Sequence, residues 1–183
     1  MKIPIVLLFT LLISSCKTKT DLEKDFNCST PTVSKLETVK DMKSIFSLQL
    51  PKHWKTNLFY DSLQSSIYTA DTTRQLTETT ILDITLIQDS IALNQDLKLK
   101  FEQAQLQKKL IVTKSKNINL INKPSYYFLS KGNKNNYPYQ SLDVYILMNE
   151  SNFILAKAEV YGDSLVNQRL CEAINLIEKI KLQ

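Results

Sequence analysis

Two runs near the end of the chain constrain the fold more than anything else in it. Residues 142–148 and 153–161 are dense in β-branched and aromatic side chains, which suit a pleated, half-buried surface. Asn149-Glu150-Ser151-Asn152 between them is turn chemistry, so the pair reads as a β-hairpin. Residues 45–50 alternate apolar and polar up to Pro51, and 64–70, 80–88, 117–122, 124–131, 138–148 and 152–161 also read as strands. Gly132-Asn133-Lys134-Asn135-Asn136 reads as a further turn before Tyr137.

Two stretches carry helical spacing instead. Leu93, Leu97, Phe101 and Ala104 share one face of a helix near 93–109. Val166, Leu170, Ala173, Ile174, Ile177 and Ile180 form a stripe over 164–181, with Asp163 or Ser164 placed to cap its start and Lys179 and Lys181 suited to its negative end. The expectation is an α+β domain over 44–183, with an antiparallel sheet of six or seven strands, a mid-chain helix and a C-terminal helix. Residues 16–43 are polar and read as a tether of low order.

The opening of that domain, Phe46-Ser47-Leu48-Gln49-Leu50-Pro51-Lys52-His53-Trp54, resembles the first strand and turn of PsbP-like proteins. The order of elements over 44–182 is similar to that family's α/β/α sandwich. The family includes a photosystem extrinsic subunit, a nuclear-import factor and bacterial lipoproteins. The resemblance therefore implies a non-catalytic binding or assembly role, with no functional residues carried over.

At the other end, Lys2 precedes an apolar run over 3–13 that is too short to span a bilayer and fits a secretory signal. Leu12-Ile13-Ser14-Ser15-Cys16 resembles a bacterial lipobox. That resemblance implies cleavage after Ser15 and acyl chains on Cys16 that anchor the protein in a membrane; the alternative is an ordinary signal peptide with a coincidental cysteine. Lys17-Thr18-Lys19-Thr20-Asp21 departs from the acidic surface-export pattern of some Gram-negative lipoproteins. The expected location is therefore the periplasm-facing side of a Gram-negative outer membrane, with a Gram-positive surface lipoprotein as the alternative.

Composition narrows the chemistry. With two glycines the chain holds no P-loop, dinucleotide fingerprint or nucleophile elbow, and with one histidine it holds no multi-His metal site. No cofactor, metal or enzymatic activity is expected. The net charge of +5 comes mostly from scattered lysines, with Arg74 and Arg169 the two arginines, so nucleic acid is not an expected partner. His53 is the one candidate general base, and Asp83 and Asp143 are carboxylates that matter catalytically only if they converge in a cleft. Export would place Cys28 and Cys171 in an oxidising compartment, where they either pair or remain a loose and a buried thiol.

Trp54 reads as a core plug or a stacking surface, and Tyr126, Tyr127, Phe128, Tyr137 and Tyr139 flank the Gly132 turn. Strand alternation sends Tyr127 to the face opposite Tyr126 and Phe128, so Trp54, Tyr127, Tyr137 and Tyr139 form a candidate interaction or ligand patch. Asp61-Ser62-Leu63, Asp71-Thr72-Thr73, Asp89-Ser90-Ile91 and Asp163-Ser164-Leu165 resemble periplasmic O-glycosylation acceptors, although Asp-Ser and Asp-Thr are also common turn chemistry. Two functions follow: an anchored binding or assembly module with an envelope protein partner, or a periplasmic carrier of a small ligand or lipid.

Overall fold

A computed structural model describes residues 19–29 and 35–183. The signal segment and Cys16 lie outside the described residues. Thirteen elements follow one another: α1 (Asp21–Asp25), β1 (Leu36–Lys40), β2 (Phe46–Pro51), β3 (Lys55–Tyr60), β4 (Gln64–Ala70), β5 (Thr80–Ile87), α2 (Gln95–Gln107), β6 (Leu110–Leu120), β7 (Lys123–Lys134), β8 (Tyr137–Asn149), β9 (Asn152–Tyr161), α3 (Val166–Ile177) and β10 (Lys181–Leu182).

Strands β3 to β9 build one antiparallel sheet in the order β3-β4-β5-β9-β8-β7-β6, and β2 pairs with β1 and β10 in a small second sheet. The hairpin of β8 and β9 sits at the centre, as its apolar density requires. Ile84, Ala156, Val144 and Tyr127 line up across the strands on one face. That face packs against the stripe of α3, the apolar side chains of β2 and Leu22 of α1, forming the main core. On the opposite face α2 lays Phe101 flat on Phe128, with centroids 4.0 Å apart and Tyr145 edge-on to both. Helix, sheet and helix make the three layers of an α/β/α sandwich.

The tether expectation needs correction. Residues Asp21–Asp25 form a helix with a reciprocal capping box from Thr20 and Glu23, and Leu22 is fully buried. Residues Leu36–Lys40 pair with β2 along its whole length. Polar composition hid both, because each is short and is held by pairing with distant segments rather than by a periodic apolar face of its own. Strand β3 went unread for a related reason: it is an edge strand, nearly all exposed, and carries no alternation.

Three local readings also change. Helix α3 spans Val166–Ile177, and its N-cap is Leu165 at φ 49° with no side-chain cap, in place of Asp163 or Ser164. Lys181 lies in β10, beyond the helix. The β7–β8 turn is only Asn135-Asn136, both at positive φ, a conformation that asparagine tolerates and two-residue hairpins need. Gly132 lies within β7, where a Cβ would come 2.6 Å from the Lys109 carbonyl. Its role is a close backbone approach, not a turn.

Antiparallel register gives the sheet two distinct ends. The turns at 61–63, 121–122 and 150–151 share one end; Trp54, the 135–136 turn and the α2–β6 junction share the other.

Candidate functional site

Helix α2 covers only part of its sheet face, and the uncovered remainder forms a pocket of about 560 Å³, within the range of small-molecule sites. Phe101, Ala104, Gln105 and Lys108 of α2 form one wall; Leu110, Lys134, Tyr139, Ser141, Asp143, Tyr145, Leu155 and Lys157 form the rest. The strand residues converge because alternation places them all on one face of neighbouring strands.

An ordered polar row runs through the floor, with Asp143, Ser141 and Lys157 lining the pocket and Asp83 and Glu159 beside them. Asp83, Lys157 and Asp143 face one another in register across β5, β9 and β8. Lys157 Nζ lies 3.2 Å from Glu159 Oε1, and Lys134 Nζ approaches the same oxygen at 2.9 Å. Tyr139 Oη also donates to it. Ser141 Oγ donates to Asp143 Oδ2 at 2.6 Å, and Thr85 Oγ1 to Asp83 Oδ1 at 2.9 Å. The Lys134 ammonium sits 4.8 Å over the Tyr139 ring.

Two carboxyls in this one site are pushed in opposite directions. Burial raises Asp143 above the ordinary carboxylate range, against the opposing Ser141 hydrogen bond and Lys157 charge. Burial would raise Glu159 as well, but hydrogen bonds from Tyr139 and Lys134 and the charge of Lys157 outweigh it, and its carboxyl lies below the usual value. Burial also lifts the Tyr145 phenol to about 12, helped by the Asp143 charge.

Asp143 therefore costs stability whenever it is ionised. Its folded pKa exceeds its unfolded one, so the native state binds the proton more tightly and stability falls as pH rises through that window. Asp143→Asn keeps an acceptor for Ser141 and removes the buried charge. It is expected to raise the melting temperature at pH 7, with the gap closing as pH drops below the folded pKa; an equal or lower melting temperature at pH 7 would refute the assignment.

The predicted patch does not assemble. Tyr139 is in the pocket, but Tyr127 is fully buried on the opposite face, where its Oη donates to Asp25 Oδ2 at 3.1 Å. Tyr137 is exposed at the start of β8. Trp54 is half-buried against the main core and lines a separate cleft of about 170 Å³ with His53, Asp71 and Arg74. There His53 Nε2 lies 3.4 Å and Arg74 Nε 3.2 Å from Asp71 Oδ2. Alternation assigns side chains to faces correctly, but both faces of β7 are covered, one by α3 and α1 and the other by α2. Cys28 and Cys171 are joined by a disulfide across a separation of 143 residues. Asp61, Asp71 and Asp89 each accept a backbone N–H from the next one to three residues, the turn role of these triplets. Lys157 and Glu159 do not stand out in the sequence; their signal is their place in β9 on the alternation phase facing away from the main core.

No protein-family model and no curated protein sequence matches the chain. Solved structures do. The cyanobacterial PsbP protein CyanoP from Synechocystis sp. PCC 6803 is similar at a TM-score of 0.59 and 9% identity, covering 85% of this chain and 97% of that one. Protein Mog1, solved as a point mutant, is similar at 0.50 and 9% identity, covering 80% and 95%. A protein from Bacteroides thetaiotaomicron is similar at 0.50 and 12% identity over 81% of this chain and 49% of that one. The chain thus has a PsbP-like fold, as its opening motif implied. Among the described residues no helix is long and apolar enough to cross a membrane.

Proposed function

We propose that this chain is a lipid-anchored, non-catalytic binding module of the bacterial cell envelope, and that the pocket beside α2 is its binding element. One observation carries the reading: a concave site of about 560 Å³ in which charged and aromatic side chains converge on rigid strands. Its walls decide between the possible cargoes. Lys108, Lys134, Lys157 and Asp143 would each lose hydration or pairing against an acyl chain, so a small molecule with an apolar body and a polar end fits better than a lipid tail. His53 and its partner Asp71 lie in the other cleft, away from this convergence. Lipidation of Cys16 supplies the location, and an envelope protein that delivers or receives the ligand is the expected partner.

The test is ligand-observed NMR of the purified protein against a library of small aromatic carboxylates and amines. Compounds that bind should lose about tenfold in affinity in Lys157→Met and in Tyr145→Ala, the loss expected for removing roughly 1.4 kcal/mol of contact. Ligands indifferent to both substitutions would place binding elsewhere, and a library with no ligand at all would sink the pocket reading.

A further inference from the structure

We infer that the domain stands end-on to the lipid bilayer, seated on the turns at 41–45, 61–63 and 121–122, with its pocket facing away from the membrane. The inference rests on the anchor at Cys16 proposed above and adds a protein surface to it. The first step is reach. Thr20 is fixed to the fold by its hydroxyl bond to Glu178 and lies beside Asn119, Ile121 and Asn122. Three residues lie between it and Cys16, and the four residue steps span at most about 14 Å. Strand β7 carries the chain from Lys123 to Lys134 over about 36 Å at the usual rise per residue. An acylated Cys16 therefore reaches a bilayer at the near end, along the β6 edge or over the α1–α3 face, and cannot reach one at the far end.

The character of those surfaces separates them. The edge strand β6 exposes Thr113, Lys114, Lys116, Asn117 and Asn119, with Ile111 its one exposed apolar residue, at the far end, and the α1–α3 face exposes Lys24, Asn27, Asn167 and Gln168, so both favour water. The near end instead exposes Met42 at 53%, Tyr60 at 63% and Leu63 at 62%. These three belong to one ledge, because Lys43 Nζ donates to the Ser62 carbonyl at 3.4 Å and Ser65 Oγ to Asp41 at 2.7 Å. Apolar tips beside a lysine suit the boundary between acyl chains and headgroups, where lysine carries its charge outward. The far end exposes Leu106, Ile111 and Leu165 too, so exposure alone does not choose; the tether does. The ledge and the tether root lie at opposite edges of the same end, six inter-strand steps apart, or about 29 Å measured along the sheet.

The chain carries its own control, because its single tryptophan, Trp54, sits at the far end. The full-length lipidated protein is reconstituted into phosphatidylethanolamine–phosphatidylglycerol vesicles with and without acyl-brominated lipid. Wild-type emission should be unaffected by bromine, and most of the emission added by Leu63→Trp should be lost; Met42→Trp should behave alike. Leu63 is largely exposed, so neither result depends on repacking a core. Protein that floats with the vesicles while the added tryptophan stays unquenched overturns the orientation, whether the domain lies on β6 or meets a second protein at the ledge. Protein that neither floats nor carries acyl mass removes the anchor itself and the orientation with it.

Discussion

Replacing Cys28 and Cys171 together by alanine is expected to cost about 5 kcal/mol of folding stability, the chain-entropy value for a loop of this length. The bond joins residues 143 apart, so it restrains nearly the whole unfolded chain. It also fastens the segment after α1 to α3, with Cys28 fully buried and Cys171 at the border of a shallow surface cleft. The folded state itself should survive. Leu22 remains in the core, Lys116 Nζ stays 3.0 Å from Asp25 Oδ2, and Thr20 keeps its bond to Glu178. The loss should therefore appear as an earlier unfolding midpoint with an unchanged native spectrum. Urea unfolding of wild type, of wild type in reductant and of the double variant measures it, and a loss under about 1 kcal/mol would contradict the loop-entropy account.

Once the bond is gone, α1 should become sensitive to acid. Burial would raise Asp25, but hydrogen bonds from Lys116 and Tyr127 hold it below its ordinary value. A carboxyl lowered by folding adds stability above its unfolded pKa and loses it as pH falls through the folded one. The reduced protein should release α1 in that acidic window.

The central hairpin was legible from its density of β-branched and aromatic residues, which both covered faces of a mid-sheet pair demand, and α3 from its apolar stripe, because burial of one helix face writes a period into the residues. Where an element is short or only locally buried, neither signal is written. Residues Asp21–Asp25 make fewer than two turns and bury essentially one apolar residue, Leu22, so no stripe can be read. Residues Lys55–Tyr60 form an outer strand whose partner lies on one side only. The disulfide stood as one of two alternatives, because cysteine number and compartment speak to pairing and not to distance. The pocket was hidden for a different reason. Alternation shows that Asp83, Lys157 and Asp143 leave the core, but not that register aligns them or that α2 stops short of them. That outcome depends on how far one helix extends across a sheet, which is a tertiary fact.

Arg169→Ala is expected to be the most damaging single substitution outside the apolar core. Arg169 is 3% exposed and, among the described residues, forms no ion pair with a carboxylate. Burial pulls its guanidinium below the ordinary arginine value, and the more distant charges of Glu172, Asp163 and Glu78 push back. What holds it is a set of three backbone carbonyls: Nε donates to Ser164 at 2.9 Å, Nη1 to Thr79 at 2.8 Å and Nη2 to Tyr161 at 2.9 Å. Those carbonyls belong to the entry of β5, the exit of β9 and the loop into α3, where Leu165 already bends through positive φ without a capping side chain. The guanidinium fork fastens these three chain segments at once. Alanine takes the donor from two buried carbonyls and one part-buried one, which should cost about 3–5 kcal/mol at roughly 1–3 kcal/mol for each acceptor left unsatisfied. At about 2–4 °C per kcal/mol for a domain of this size, the melting temperature should fall by roughly 10 °C. Lysine should rescue little, because one ammonium cannot meet three acceptors arranged around a planar fork. A Met replacement fills the stem's volume without donors, so a loss as large as alanine's would assign the effect to hydrogen bonding, and near wild-type stability would assign it to packing.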